Sequence, residues 1–509
     1  MRHVLLVAVL AAAGCGGGTK LEGDAPDGRD GDGFVGDHGD GAADADGDAD
    51  ADADAEADAD VAEDAGPVCG NGVVESGEEC DLLNLHETCV TLGYHAGTLR
   101  CNATCHFDTS WCRNPTCGDG TCELGETATG CPADCHDGCG DASCAEAEDQ
   151  FGCPADCGAI EVAVGGSFAC VLVADRTVRC WGGNNSGQLG DGTLADSGLP
   201  VVVVGLSAVT TVSAGRWHAC AVLADTTAQC WGENEHGQLG DGTTASSNMP
   251  VPVAGLTGVV AISSGGAPLL SSCPVDPPPP PGGSHSCALL ADGSATCWGG
   301  NTNCELGDGN YFDETTPVSV EGLSGAVAVS APHGRSCAVL ADGGLRSWGS
   351  DMSPVTCRLH EPPGEFFSGV TGISNDCGCV VRFDRTSNCW PGATDVIAIR
   401  AGPGHKCALL SEGAVSCWGS NGRGELGDGA LVDRAGPAPV VGIASAVGLS
   451  AGGQVLRAWG CPGDFGWVYG QSCAVLFDGS AWCWGANDDG QLGDGTTTNS
   501  NVPVQVAAW

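Results

Sequence analysis

From Ala159 to the end of the chain, short apolar runs alternate with turns rich in Gly, Asp and Asn, and no stretch keeps the period of an amphipathic helix. The first cycle runs through Val162-Ala163-Val164, a Gly-Gly-Ser turn, Cys170-Val171-Leu172-Val173, an Ala-Asp-Arg turn and Cys180-Trp181. A long polar loop then leads to Val201-Val202-Val203-Val204 and a Gly-Leu pair, and the cycle restarts near Val209. Short apolar runs bounded by turn residues predict four strands per cycle.

The loop after each Trp is nearly the same text every time. WGGNNSGQLGDGT at Trp181 returns as WGENEHGQLGDGT at Trp231, WGGNTNCELGDGN at Trp298, WGSNGRGELGDGA at Trp418 and WGANDDGQLGDGT at Trp484. Worn copies at Trp348 and Trp390 bring the total to seven. A fixed motif recurring without helices means a radially repeated all-β architecture. The pattern resembles the RCC1 repeat family over residues 159–509. The resemblance implies a seven-bladed β-propeller of four-stranded blades, with the final Val502-Pro503-Val504-Gln505-Val506 joining the strand that starts at Ile160. On that fold each Trp belongs between blades, and Leu189, Leu239, Leu306, Leu426 and Leu492 plug loop to blade. Asp191, Asp241, Asp308, Asp428 and Asp494 cap tight turns rather than bind metal.

Cys170 and Cys180, Cys220 and Cys230, Cys287 and Cys297, Cys379 and Cys389, Cys407 and Cys417, and Cys473 and Cys483 are each ten residues apart. A three-residue turn such as Ala291-Asp292-Gly293 sets such positions opposite one another, so six cross-strand disulfides are expected. In the fourth unit Ser347 replaces the partner of Cys337, which has no evident mate, and neither has Cys461. Cys273 with Cys304 is a candidate staple of a proline-rich insertion after Gly266, and Cys357 with Cys377 is a weaker pair.

Tracing the strands puts the turns after each first strand and the GQLGDG loops on one face, and the short hairpins on the other. Insertions after Gly266 and Gly453 enlarge the first face. Phe168, Arg216, Trp217, Arg335, Trp459, Phe465, Trp467 and Tyr469 all map there, and aromatic residues with Arg on loops make them candidate binding residues. His218, His285 and His405 recur two places before a bridged Cys and read as structural. No HExxH, P-loop, GxSxG or sialidase-type box occurs, so no catalytic residue is assigned and no enzyme is expected.

Composition divides the chain before that region. Met1–Ala13 has a weakly basic start and an apolar core, and Ala12-Ala13-Gly14-Cys15 is similar to a bacterial lipobox, which implies removal of the leader and acylation of Cys15. Residues 16–66 alternate Gly, Ala and Asp, a composition with nothing to bury that reads as a disordered tether. Residues 67–113 resemble the cysteine-rich repeats of myxobacterial-type surface proteins, and 114–158 hold two four-Cys modules with a period of 22. Their spacing predicts disulfides rather than zinc. Asp119, Glu123, Glu126 and Asp134 are weak candidate calcium ligands, and no other cofactor is expected.

With 65 acids against 18 Lys and Arg, net −47, a nucleic-acid partner is disfavoured. The 33 cysteines place the chain in an oxidising compartment. The sequence thus describes an exported monomer, lipid-anchored at the cell envelope on the outer membrane or cell surface, whose propeller binds a protein or polysaccharide. The alternatives are an envelope carbohydrate-active enzyme and, less well supported, a guanine-nucleotide exchange activity.

Overall fold

The computed structural model describes residues 96–97, 100–101, 107–108, 112–113, 157–266, 283–332, 334–349, 369–456 and 467–509. The signal and Cys15, the tether, the calcium candidates, Cys273, Trp459 and Phe465 lie outside them. Of the small modules, only paired two-residue strands are described, Ala96–Gly97 with Cys112–Arg113 and Arg100–Cys101 with Phe107–Asp108.

From Ala159 the described chain is all β, in consecutive antiparallel sheets built in sequence order. The first holds Ala159–Val164, Phe168–Val173, Val178–Gly182 and Ser197–Val202, and the second repeats this from Val209–Ala214 to Ser247–Pro252. The third, sixth and seventh sheets also have four strands, beginning at Val259–Ser264, Val396–Ala401 and Ala446–Leu456. The fourth unit has three, from Ala326–Ser330 to Leu345–Gly349, and the fifth only Val370–Ile373 and Val380–Arg382. Seven full four-stranded blades are therefore not what the described residues show: six sheets have three or four strands, and the fifth unit is two-stranded. That unit carries WPGATD in place of the long loop, and the loop is what leads other units into a fourth strand.

The first strand of each unit touches that of the next, and the seventh touches the first, which makes these the inner strands of a propeller. Closure differs from the expectation. Ser500–Gln505 pairs with Ala481–Gly485 inside its own sheet, and Ala159–Val164 with Phe168–Val173. The ring is instead closed by packing, with Val164 and Trp181 in one buried cluster with Val475, Leu492 and Val506. Ala159 N donates to Gly479 O at 2.7 Å and Gln471 Nε2 to Phe168 O at 3.0 Å across the same junction.

The repeated Trp and Leu act as one device. Leu189 shares a cluster with Trp231 of the next sheet, Leu239 with Trp298, Leu306 with Trp348, Leu426 with Trp484, and Leu492 with Trp181. Each indole buries up to about 200 Å² and must still satisfy its N–H. Trp231 Nε1 donates to Gln188 O at 2.9 Å, Trp298 to Gln238 O at 2.9 Å, and Trp181 to Gln491 O at 3.0 Å. The last of these bonds joins the two ends of the ring.

The hairpins follow their turn chemistry. Gly293 takes φ +78°, Gly293 N donates to Leu290 O, and Asp292 Oδ1 accepts from Ser294 N. Cys287 thereby faces Cys297 and the two are bridged with Cα atoms 4.0 Å apart. The other spacing-ten pairs are bridged too: 170–180, 220–230, 379–389, 407–417 and 473–483. Cys337 corrects the sequence reading. Its cross-strand neighbour is Ser347, so its sulfur turns to Cys377 of the fifth unit, forming a bridge between units that also takes Cys377 away from Cys357.

Candidate functional site

The loop face is built from the GQLGDG loops, and a buried Asn organises each one. Asn184 Nδ2 donates to Asp191 Oδ1, Thr193 O and Ala195 O, while its Oδ1 accepts from Leu189 N at 2.9 Å. Asn234, Asn301, Asn421 and Asn487 repeat this role. Asp191 Oδ1 also accepts from Thr193 N at 2.9 Å, a backbone cap that leaves the aspartate engaged. The amide two positions before each Gln or Glu is bonded as well, as in Ser186 N to Gln188 Oε1. Nearly every polar group at the base of a loop is thus consumed in fixing its shape.

The tips carry what is left over. Leu194 is 60% exposed, Tyr311 and Phe312 are each 63% exposed, and Leu431 and Val432 reach 59% and 65%. All sit just after the GDG turn, where the second and seventh loops have Thr and Ala or two Thr. Sequence reading missed these residues, although comparing the copies column by column carried the signal. The Tyr311 and Phe312 rings lie 4.8 Å apart, so the third tip presents a joined aromatic pair.

The residues picked out from sequence fare unequally. Phe168 is not a surface residue: it is fully buried, because it occupies the slot that is His218 in the second unit and packs on Gly165. Arg216, 4% exposed, is also buried, its guanidinium carbon 5.3 Å from the Trp217 ring centre. Trp217, Arg335 and Tyr469 are partly exposed and belong to the second, fourth and seventh units. Tyr469 pairs with Gln454 in a long hairpin extension of the seventh sheet, and Arg423 lies 4.0 Å over its ring while pairing with Asp488. Of Trp467 only the strand backbone is described. Cys304 is disulfide-bonded, its partner lying outside the described residues.

Charge on this face is mostly negative. His236 Nδ1 meets Asp313 Oδ2 at 2.8 Å, joining the second and third loops, and that bond raises the imidazole above its ordinary range. Burial and then Glu235 raise Glu233, while burial followed by repulsion from Asp196 and Asp488 raises Asp489. No group of three or more His, Cys, Asp or Glu side chains is arranged to hold a metal among the described residues.

The histidines are buried at sheet interfaces. His218 Nε2 meets Ser286 Oγ at 2.9 Å and His285 Nε2 meets Ser336 Oγ at 2.8 Å, each across to the following sheet. Ser286 Oγ donates to Gln238 O and Ser336 Oγ to Glu305 O, so both hydroxyls accept from the rings and the proton is on Nε2. Burial lowers His218 to about 3 and His405 to about 4. Such neutral, fixed rings join sheets.

Two family models match the repeat described above. The model of the Regulator of chromosome condensation (RCC1) repeat matches residues 177–222, 230–267 and 478–508, and a second model of the repeat matches 159–188, 209–238 and 396–425. The chain is similar to the E3 ubiquitin-protein ligase HERC2 of Homo sapiens, 27% identical over 231 residues, which are 45% of this chain and 4% of the ligase. It is similar to the Ultraviolet-B receptor UVR8 of Arabidopsis thaliana, 30% identical over 154 residues, 22% of this chain and 35% of the receptor. The chain thus spans far less than two thirds of either relative. Among solved structures, human WBSCR16 matches with TM-score 0.39 at 20% identity, covering 69% of this chain and 81% of that one. Yeast RCC1 (Prp20), bound to Kap60, matches with TM-score 0.40 at 19% identity over 69% of this chain and 75% of that one.

Proposed function

Because the chain carries regulator of chromosome condensation repeats folded as a β-propeller, we propose that it is a non-enzymatic binding platform that contacts another protein or a polymer through its loop face. The observation that carries this reading is the contrast within each loop. Buried Asn side chains and turn-capping Asp side chains hold the base rigid, while large apolar side chains at the tips of the first, third and sixth loops stand in water. Exposing Tyr311, Phe312, Leu431 and Val432 costs solubility without serving the fold, and rigid apolar anchors are what binding surfaces use.

The reading extends to location. Seven disulfides among the described residues suit an oxidising compartment. With acylation at Cys15 and residues 16–66 as tether, the platform stands off the envelope surface. Purified full-length chain, cross-linked to envelope extract and analysed by mass spectrometry, tests the proposal. A specific adduct lost in the Tyr311→Ser/Phe312→Ser and Leu431→Ser/Val432→Ser variants, at unchanged melting temperature, supports it. Adducts identical in both variants contradict it.

A further inference from the structure

Arg400 stands apart from every residue that shares its place in the repeat. It faces Cys407, the first cysteine of its hairpin, and the corresponding positions opposite Cys220, Cys287, Cys337 and Cys473 are Ser213, Ser263, Ser330 and Ser450. Three of these hydroxyls tie inner strands together around the axis. Ser213 Oγ accepts from Ser264 N, Ser263 Oγ from Ala331 N and Ser450 Oγ from Val164 N, at 2.9 to 3.1 Å. An oxygen that accepts from an amide keeps its own proton to donate. Ser330 Oγ, fully buried, has no partner among the described residues.

Arg400 itself is 7% exposed. Its one recorded bond runs from Nη1 to its own neighbour Ile399 O at 3.0 Å, and it makes no ion pair among the described residues. The carboxylate it feels is Glu161 on the first inner strand. The seventh unit lies between the sixth and the first, so the two charges meet only across the axis. Glu161 is already engaged, accepting from Thr211 Oγ1 at 3.1 Å and Val212 N at 3.3 Å. Burial lifts Glu161 to about 7 and lowers Arg400 to about 10, so near neutrality the guanidinium keeps its full charge while the carboxylate does not.

We propose that the axis of the ring holds an oxyanion site, with Arg400 as its charged fork and inner-strand serine hydroxyls as further donors, taking a small carboxylate or phosphate. A buried guanidinium with no paired acid is costly, and its planar fork matches both oxyanions. Entry is from the hairpin face, where Thr210, Thr371 and Val447 of the inner strands are exposed. The site uses none of the loop-tip side chains of the proposed platform and stands or falls without them.

Melting of the full chain is followed while sodium phosphate or sodium acetate replaces sodium chloride at constant ionic strength. The wild type rises in melting temperature with the logarithmic concentration dependence of one binding site, and comparing the two anions tells which oxyanion is preferred. Arg400→Met loses the response or needs about tenfold more anion. Glu161→Gln, which removes the competing charge, begins to respond at lower concentration. If Arg400→Met fails to fold, Arg400→Lys replaces it, keeping charge without the fork, and binds more weakly than wild type. A rise linear in anion concentration, as exclusion from the surface gives, or one equal in wild type and either Arg400 variant, overturns the proposal.

Discussion

His218 and Ser286, 68 residues apart, meet at 2.9 Å across the junction of the second and third sheets, and Ser286 passes the chain of bonds on to Gln238 O. Trp298 Nε1 donates to the same carbonyl, so one loop oxygen anchors two side chains of the next sheet. Ser286→Ala strands a buried imidazole N–H. It is expected to lower stability by about 1 to 3 kcal/mol, read as the shift in urea midpoint.

The buried histidines also set a pH dependence. His218 and His405 take up protons near the ordinary value when unfolded but only near 3 and 4 when folded, so stability falls as pH drops below about 6.5. Each contributes a slope of about 1.4 kcal/mol per pH unit. Glu161 works in the opposite sense. Raised to about 7, it stabilises the fold in acid and loses that contribution as pH rises through its folded value. Glu161→Gln is therefore expected to steepen the loss of stability between pH 6.5 and 4.5, measured by denaturation at a series of pH values.

Loop rigidity rests on the Asn hubs. Asn184→Ala leaves Leu189 N and the carbonyls of Thr193 and Ala195 without their shared partner. A cost of about 3 kcal/mol follows, together with faster amide exchange across residues 184–196.

The bridge between Cys337 and Cys377 closes a 40-residue span, against ten for each hairpin bridge. On chain entropy its removal costs about 4 kcal/mol and a hairpin bridge about 3. Cys337→Ala/Cys377→Ala is expected to lower the melting temperature more than Cys220→Ala/Cys230→Ala does.

The hairpin disulfides were readable because a three-residue turn fixes which positions face one another, whatever the tertiary context. Cys337 with Cys377 was not, since no repeat spacing relates neighbouring units of unequal length. Phe168 misled for a physical reason. An aromatic residue beside a turn suggests a surface, yet its column also holds the buried His218, His285 and His405, and that slot points into the next sheet. Tyr311 and Phe312 were hidden by their small place inside a conspicuous motif. The axial Arg400 became visible only once register aligned it with the serines.

Hydrogen–deuterium exchange on the inner strands tests the closed ring most directly. Ala159–Val164 and the Ala446–Ala451 part of the last inner strand meet only if the circle closes, through Val164 N to Ser450 Oγ at 3.1 Å. The amides of these two segments are expected to be protected as strongly as those of Val209–Ala214, in the middle of an unbroken series of sheets. Rapid exchange confined to the first and last inner strands would mean an open arc and contradict the account.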